Sequence, residues 1–341
     1  MSKQLATFLL AIALCISISW AGDFEDGFAA YEKKDFVAAL KKFKSAAAQE
    51  DADAQFALGI MYRKGQGVVQ DEAAAVRWYK LAAAQGHAEA QTNLGLMYDG
   101  GLGVVQDYAE AMRWYKLAAA QGLVAAQLAI GIMYGEGQGV VQDYVEAMRW
   151  YKLASEQGDA LAQSYLGTTY ETGRGVTQDY VEAVRWYKLA AAQGYATAQF
   201  NLGWMYEDGK GVVQNYEEAF RWYKLAAAQG LAKAEGQVGF MYKNGKGVVQ
   251  DYAAAVRWFK LAAEQGSANA QYNLSLAHAQ GKGAVQDYVK AHMWSNLSAV
   301  KGVEEAVKLR ELVSKLMTSQ QVSEAQKMAR ECQARDFKNC D

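Results

Sequence analysis

The residues able to do chemistry are few and badly placed for it. The three histidines are His87, His278 and His292, and no two of them stand at a metal-ligand or triad spacing. The G-x-G runs, such as Gly101-Leu102-Gly103, lack the Gly-Lys-Ser/Thr ending of a phosphate cradle, and no strand precedes them. They read as helix-ending turns. The paired acids Glu217 and Glu218 fall on a solvated helix face. Ser45 and Ser314, weighed as nucleophiles, have no lysine three residues on. The content predicts no catalytic residue, no metal ligand set and no cofactor.

The elements that would carry any site are helical. The 341 residues contain no proline and are 52% hydrophobic, enough to bury a core. Lys and Arg number 35 against 37 Asp and Glu, with no basic run to attract nucleic acid.

Residues 1–21 read as a signal peptide. Lys3 supplies the positive start, Leu5 to Ile18 an apolar stretch too short to span a bilayer, and Ser19-Trp20-Ala21 a cleavage site before Gly22. Leu14 before Cys15 argues against lipidation. The expectation is an exported protein, periplasmic or secreted, with no transmembrane segment after cleavage. Cleavage leaves Cys332 and Cys340, expected to pair in an oxidising compartment.

Self-similarity decides the fold. Ala90-Gln-Thr-Asn-Leu-Gly-Leu-Met-Tyr98 recurs every 36 residues, from Ala54–Tyr62 to a degraded copy at Ala270–His278, without insertion or deletion. Seven of the nine tryptophans, from Trp78 to Trp294, hold one position of the period. In the first half Ala90, Leu94, Met97 and Tyr98 form one helical stripe, and Gly95 on it predicts close approach of a neighbouring helix backbone. Gly100, Gly101 and Gly103 end that helix. Asp107 caps the second helix, with Glu110 completing a capping-box-like pair; Ala111, Trp114, Tyr115, Leu117 and Ala118 form its buried stripe, and Gly122 stops it.

The pattern A-x-x-x-L-G-x-M-Y-x-x-G-x-G-V-x-Q-D-Y-x-x-A-x-x-W-Y-x-x-A-A-x-Q-G resembles the Sel-1-like repeat, a relative of the tetratricopeptide repeat, over roughly 54–305. Many members carry proline where this chain has Val69, Val105, Val141, Thr177, Val213 and Val249. The resemblance implies an all-α fold, a right-handed α-solenoid of stacked helix–loop–helix repeats. The expected organisation is a signal peptide (1–21), a degenerate unit or cap (22–53), seven repeats (54–305) and a helical end cap (306–341) with helices near 303–317 and 319–334.

The resemblance also implies a non-enzymatic adaptor binding a protein or peptide on a concave face lined by first helices. Positions that refuse to repeat mark that face: Phe56 and its equivalents, Ile60 and its equivalents, and the series Arg63, Asp99, Gly135, Glu171, Glu207, Lys243 and Ala279. Tyr165, Phe200, Trp204, Phe240 and Tyr272, with Asn93, Asn201 and Asn273, form the candidate strip, aromatics anchoring a partner and amides bonding its backbone. A second reading stays open, in which these side chains pack between repeats. An alternative activity, binding or hydrolysis of β-lactams or peptidoglycan, comes from a cysteine-rich group of similar proteins; the seven repeats here contain no cysteine.

Overall fold

The computed structural model describes residues 22–340, so the leader expected over 1–21, Cys15 included, lies outside them. Helices joined by tight turns account for the described residues, and no strand occurs among them. The described residues divide into two compact units, the boundary falling between Asp159 and Ala160.

In the first unit residues 22–32 form α1, a helix the sequence pattern did not announce. It is followed by α2 (Phe36–Ala47), α3 (Ala52–Lys64), α4 (Glu72–Ala84), α5 (Ala88–Gly100), α6 (Tyr108–Ala120), α7 (Val124–Glu136) and α8 (Tyr144–Glu156). Helices α2 to α8 each pack on the helix before and after them in the unit, and α1 lays Phe24 against Phe43 of α2, ring centroids 5.7 Å apart.

The second unit holds α9 (Ala160–Thr172), α10 (Tyr180–Ala192), α11 (Ala196–Asp208), α12 (Tyr216–Ala228), α13 (Ala232–Asn244), α14 (Tyr252–Glu264), α15 (Ala268–Gln280) and α16 (Tyr288–Val300). Helices α17 (Glu304–Ser314) and α18 (Ser319–Ala334) close it against α16. Cys332 and Cys340 are joined by a disulfide and buried with Trp294 and Leu297.

Local chemistry accounts for the helix boundaries. Helix α5 starts where His87 Nδ1 accepts the Ala90 N–H at 3.2 Å and stops at Gly101, whose φ of 65° suits glycine. Gly100 is therefore the last helical residue rather than part of the stop. Gly103 is required for a different reason. A Cβ there would lie 2.3 Å from the Glu72 carbonyl carbon, so the turn seats itself on the backbone of α4.

Asp107 caps α6 by accepting the Ala109 and Glu110 N–H groups at 2.9 and 3.0 Å. The expected reciprocal half of the capping box is absent. The Asp107 N–H already donates to the Tyr98 carbonyl at 2.9 Å, and Glu110 pairs with Arg113 at 3.1 Å instead. A complete box forms in α18, between Thr318 and Gln321.

The mid-helix glycine answers first to a ring, and in three repeats also to the neighbouring helix backbone: a Cβ on Gly131, Gly203 or Gly239 would lie 3.3, 3.2 or 3.2 Å from the Ala147, Ala219 or Ala255 carbonyl oxygen. A Cβ on Gly95 would sit 2.6 Å from Tyr115 Cε1, and Gly59–Tyr79, Gly131–Tyr151, Gly167–Tyr187, Gly203–Tyr223 and Gly239–Phe259 repeat the fit. In the last repeat both partners change together. The Ser275 and Ser295 hydroxyls lie side by side, each 2.6 Å from the Ala291 carbonyl oxygen, which accepts from them.

The tryptophans bind repeat to repeat. Trp114 of α6 packs on the cluster built by α4 and α5, and Trp222 of α12 on the cluster of α10 and α11. Their outer faces lie under Arg113 and Arg221, 4.7 and 5.6 Å from the ring centroids. An amide ladder adds a second tie. Gln121 Nε2 donates both to Gln91 Oε1 and to the Gly86 carbonyl at 2.9 Å, and Gln91 donates to Ala83 O at 3.2 Å.

Candidate partner-binding surface

Leu117, expected on the buried stripe of the second helix, is instead exposed, as are its equivalents Leu81, Leu189, Leu225 and Leu261. With the rest of both stripes committed to the core, the variable positions of the first helices remain. None of the eight strip residues is fully buried and none is fully exposed; each shows one edge to solvent. In the first unit Asn93 accepts from Arg63 Nη1 at 3.3 Å and donates to the Glu89 carbonyl at 2.9 Å.

In the second unit Phe200 tilts on Tyr223, ring centroids 5.4 Å apart. Trp204 packs on two successive hydrophobic clusters and carries the Lys210 ammonium 3.9 Å above its ring. Phe240 lies 5.6 Å from the Lys246 ammonium, and Asn273 accepts from Lys243 Nζ at 2.9 Å. Tyr165 and Tyr272 stand on α9 and α15, and Asn201 beside Tyr187. The strip is a half-buried surface whose inner edges pack and whose outer edges face solvent.

A cavity of about 510 Å³ opens between α13 and α15, walled by Phe200, Phe240 and Phe259 and rimmed by Lys233, Gln237 and Asn273. Gly236 lies in it, and a Cβ there would meet nothing within 4 Å. It brings Phe200, Phe240 and Asn273 of the strip together. Trp204, Asn201, Tyr165 and Tyr272 do not line it.

The third variable series was expected to face outward, and the structure corrects this. Asp99, Glu171 and Glu207 turn inward to the buried phenols of Tyr115, Tyr187 and Tyr223. Burial first, then the facing carboxylate, raises each of these phenol pKa values far above the ordinary range. Tyr79, which faces Arg63, is pushed up by burial to about 12. Where the phenol is missing, at Phe259, the variable residue is Lys243, which turns to Asn273. The sequence showed that this position varies, but not the direction of its side chain.

One spacing escaped the reading of the sequence. Ser298-Ala299-Val300-Lys301 has the Ser-x-x-Lys pattern. The Ser298 hydroxyl donates to the Ala268 carbonyl at 2.8 Å and Lys301 Nζ to the Gly266 carbonyl at 2.6 Å, so both act as ties in the amide ladder. His292 is buried, and burial together with Arg310 lowers its pKa. No group of three or more His, Cys, Asp or Glu able to hold a metal ion occurs among the described residues.

Stacked helix pairs with a constant core and a variable, half-exposed first-helix face define an α-solenoid scaffold. The Sel1 repeat profile matches residues 52–87, 88–123, 124–159, 160–195, 196–231, 232–267 and 268–302, and the chain belongs to the Sel1 repeat family. A protective antigen of uropathogenic Escherichia coli with an SLR fold is 27% identical, with 93% of each chain covered and a TM-score of 0.56. A Sel1 repeat protein from Oxalobacter formigenes is 34% identical over 70% of this chain and 96% of its own, with a TM-score of 0.66. Comparison with curated proteins returned no match. The Sel1 repeat fold commonly mediates protein–protein interaction and is generally a non-catalytic scaffold.

Proposed function

We propose that this protein is an exported, non-catalytic adaptor that recognises a protein or peptide partner through the first-helix face of its repeats, in the periplasm or the secreted space. The observation that carries the reading is the cavity around Gly236. It is an aromatic-walled space on the variable face, with polar side chains at its rim. The leader-like residues 1–21 and the Cys332–Cys340 bridge support export.

Gly236→Trp fills that cavity from a position with open space, so it blocks the face without disturbing the core. The expected result is an unchanged melting temperature and loss of the partner that wild-type protein captures from the envelope fraction of its source cells. Retention of every captured partner by the variant would place the binding face elsewhere. Incubation with a fluorescent penicillin tests the non-catalytic assignment, and covalent labelling would overturn it.

A further inference from the structure

Beside the Gly236 cavity lies a smaller one, about 190 Å³, between α13, α14 and α15. The two share Phe259 and Asn273 in their walls, so they adjoin. Its lining mixes apolar side chains such as Val256 and Leu276 with amides such as Asn244 and Gln280, and it holds Lys243 and Lys282. No acidic side chain is in its lining, and neither lysine has a carboxylate within ion-pairing distance among the described residues.

The pair of lysines is particular to this repeat. In the two repeats immediately before it the residue equivalent to Lys243 is Glu171 or Glu207, each held by a phenol. Here Phe259 replaces the tyrosine, and Lys243 Nζ donates to Asn273 Oδ1 at 2.9 Å, as Arg63 of the first repeat donates to Asn93. Lys243 is half-buried, and two of its N–H groups remain after that bond. Lys282 is exposed at the rim, 5.7 Å from the Tyr252 ring centroid. Burial and Lys282 together lower the Lys243 pKa, as expected for an ammonium facing another with no counter-charge.

We propose that this pocket binds the carboxylate of an acidic side chain of a peptide partner, which lays its neighbouring apolar residue in the Gly236 cavity. Two converging ammonium groups supply the complementary charge to one oxyanion. The apolar residues of the same lining, Val256, Leu276 and Ala277, suit the methylene stem of a glutamate. The inference rests on the reading of the first-helix face as a peptide-binding surface and adds the chemistry of what binds there.

The test uses full-length mature protein labelled with ¹³C,¹⁵N-lysine, with the side-chain signals assigned through Lys243→Met and Lys282→Met. The probes are the peptide acetyl-Leu-Glu-Leu-Leu-amide, its glutamine twin, and sodium phosphate. The glutamate peptide should shift the Lys243 and Lys282 signals saturably, and its twin should bind at least tenfold more weakly. Each methionine variant, shown by circular dichroism to keep its helices, should weaken the glutamate peptide at least fivefold.

Equal affinity for the twins overturns the carboxylate assignment, as does a response to phosphate alone or to no probe. The broader reading is judged separately by the Gly236→Trp capture. A partner lost on filling the cavity, with the lysine signals silent to every probe, would sink this inference and leave peptide binding standing.

Discussion

Tyr223 Oη of α12 donates to Glu207 Oε2 of α11 at 2.9 Å, so a constant residue of the repeat is satisfied by a variable one. The same carboxylate lies 3.6 Å from Lys246 of the following repeat through Oε1. A residue that varies between repeats thus serves the interior, bonding the aromatic 16 positions on.

That tie is measurable. Tyr223→Phe should lower the unfolding free energy by about 1–3 kcal/mol, because it leaves a largely enclosed carboxylate short of a donor. A double-mutant cycle with Glu207→Gln, followed by urea unfolding, should give a coupling of about 1 kcal/mol. A coupling indistinguishable from zero would show the bond to be incidental.

Two glycines separate packing from propensity. Gly95→Ala forces a methyl to within 2.6 Å of the Tyr115 ring and should destabilise by about 1–3 kcal/mol. Gly236→Ala enters open space in mid-helix and should stabilise by roughly 0.5–1 kcal/mol. Paired thermal melts read the difference, and equal effects would contradict the ring contact.

Glu235 stands where the other repeats carry the buried ladder glutamine, accepting from Gln265 Nε2 at 2.9 Å. Burial raises its pKa above the ordinary 4.5, against the lowering effect of the Gln265 bond. The folded state therefore holds this proton more tightly than the unfolded one. Its contribution is fully present below pH 4.5 and is lost as pH rises through the raised folded value. Glu235→Gln should accordingly be more stable than wild type at pH 7, with the advantage shrinking as pH falls toward 4.5. A difference between the two proteins that does not vary with pH across urea titrations would refute this.

The Cys332–Cys340 bridge spans 8 positions and pins the tail onto α16 and α18. For so short a loop, chain entropy gives a stabilisation of about 2–3 kcal/mol. Reduction, or the Cys332→Ser, Cys340→Ser double variant, should raise amide exchange in α18 and the tail while leaving α9 to α12 unchanged. Exchange rising uniformly through the second unit would show that the cap supports the whole stack.

Much of this was legible before any coordinates. A strict 36-residue period, helix-capping aspartates and αL glycines are local signals that act over a few residues, so the starts and stops of the repeat helices could be read, whereas the cap helix expected to reach 317 ends at Ser314. Gly95 and Trp114 were recognisable as fold residues, but their partners were not. The glycine met a tyrosine ring 20 positions on, and the tryptophan met the preceding helix pair. Helix α1 carried no copy of the repeat to be compared with.

What the sequence by itself determined is which positions repeat and which do not, because periodicity is a property of the chain alone. Tertiary structure decided where the variable side chains point. Asp99 and Glu207 share a register with Arg63 and Lys243, yet the two carboxylates turn to a phenol and the two cations donate to an asparagine of the next repeat. That choice depends on desolvation and hydrogen-bond partners supplied from another helix, which no single segment of sequence contains.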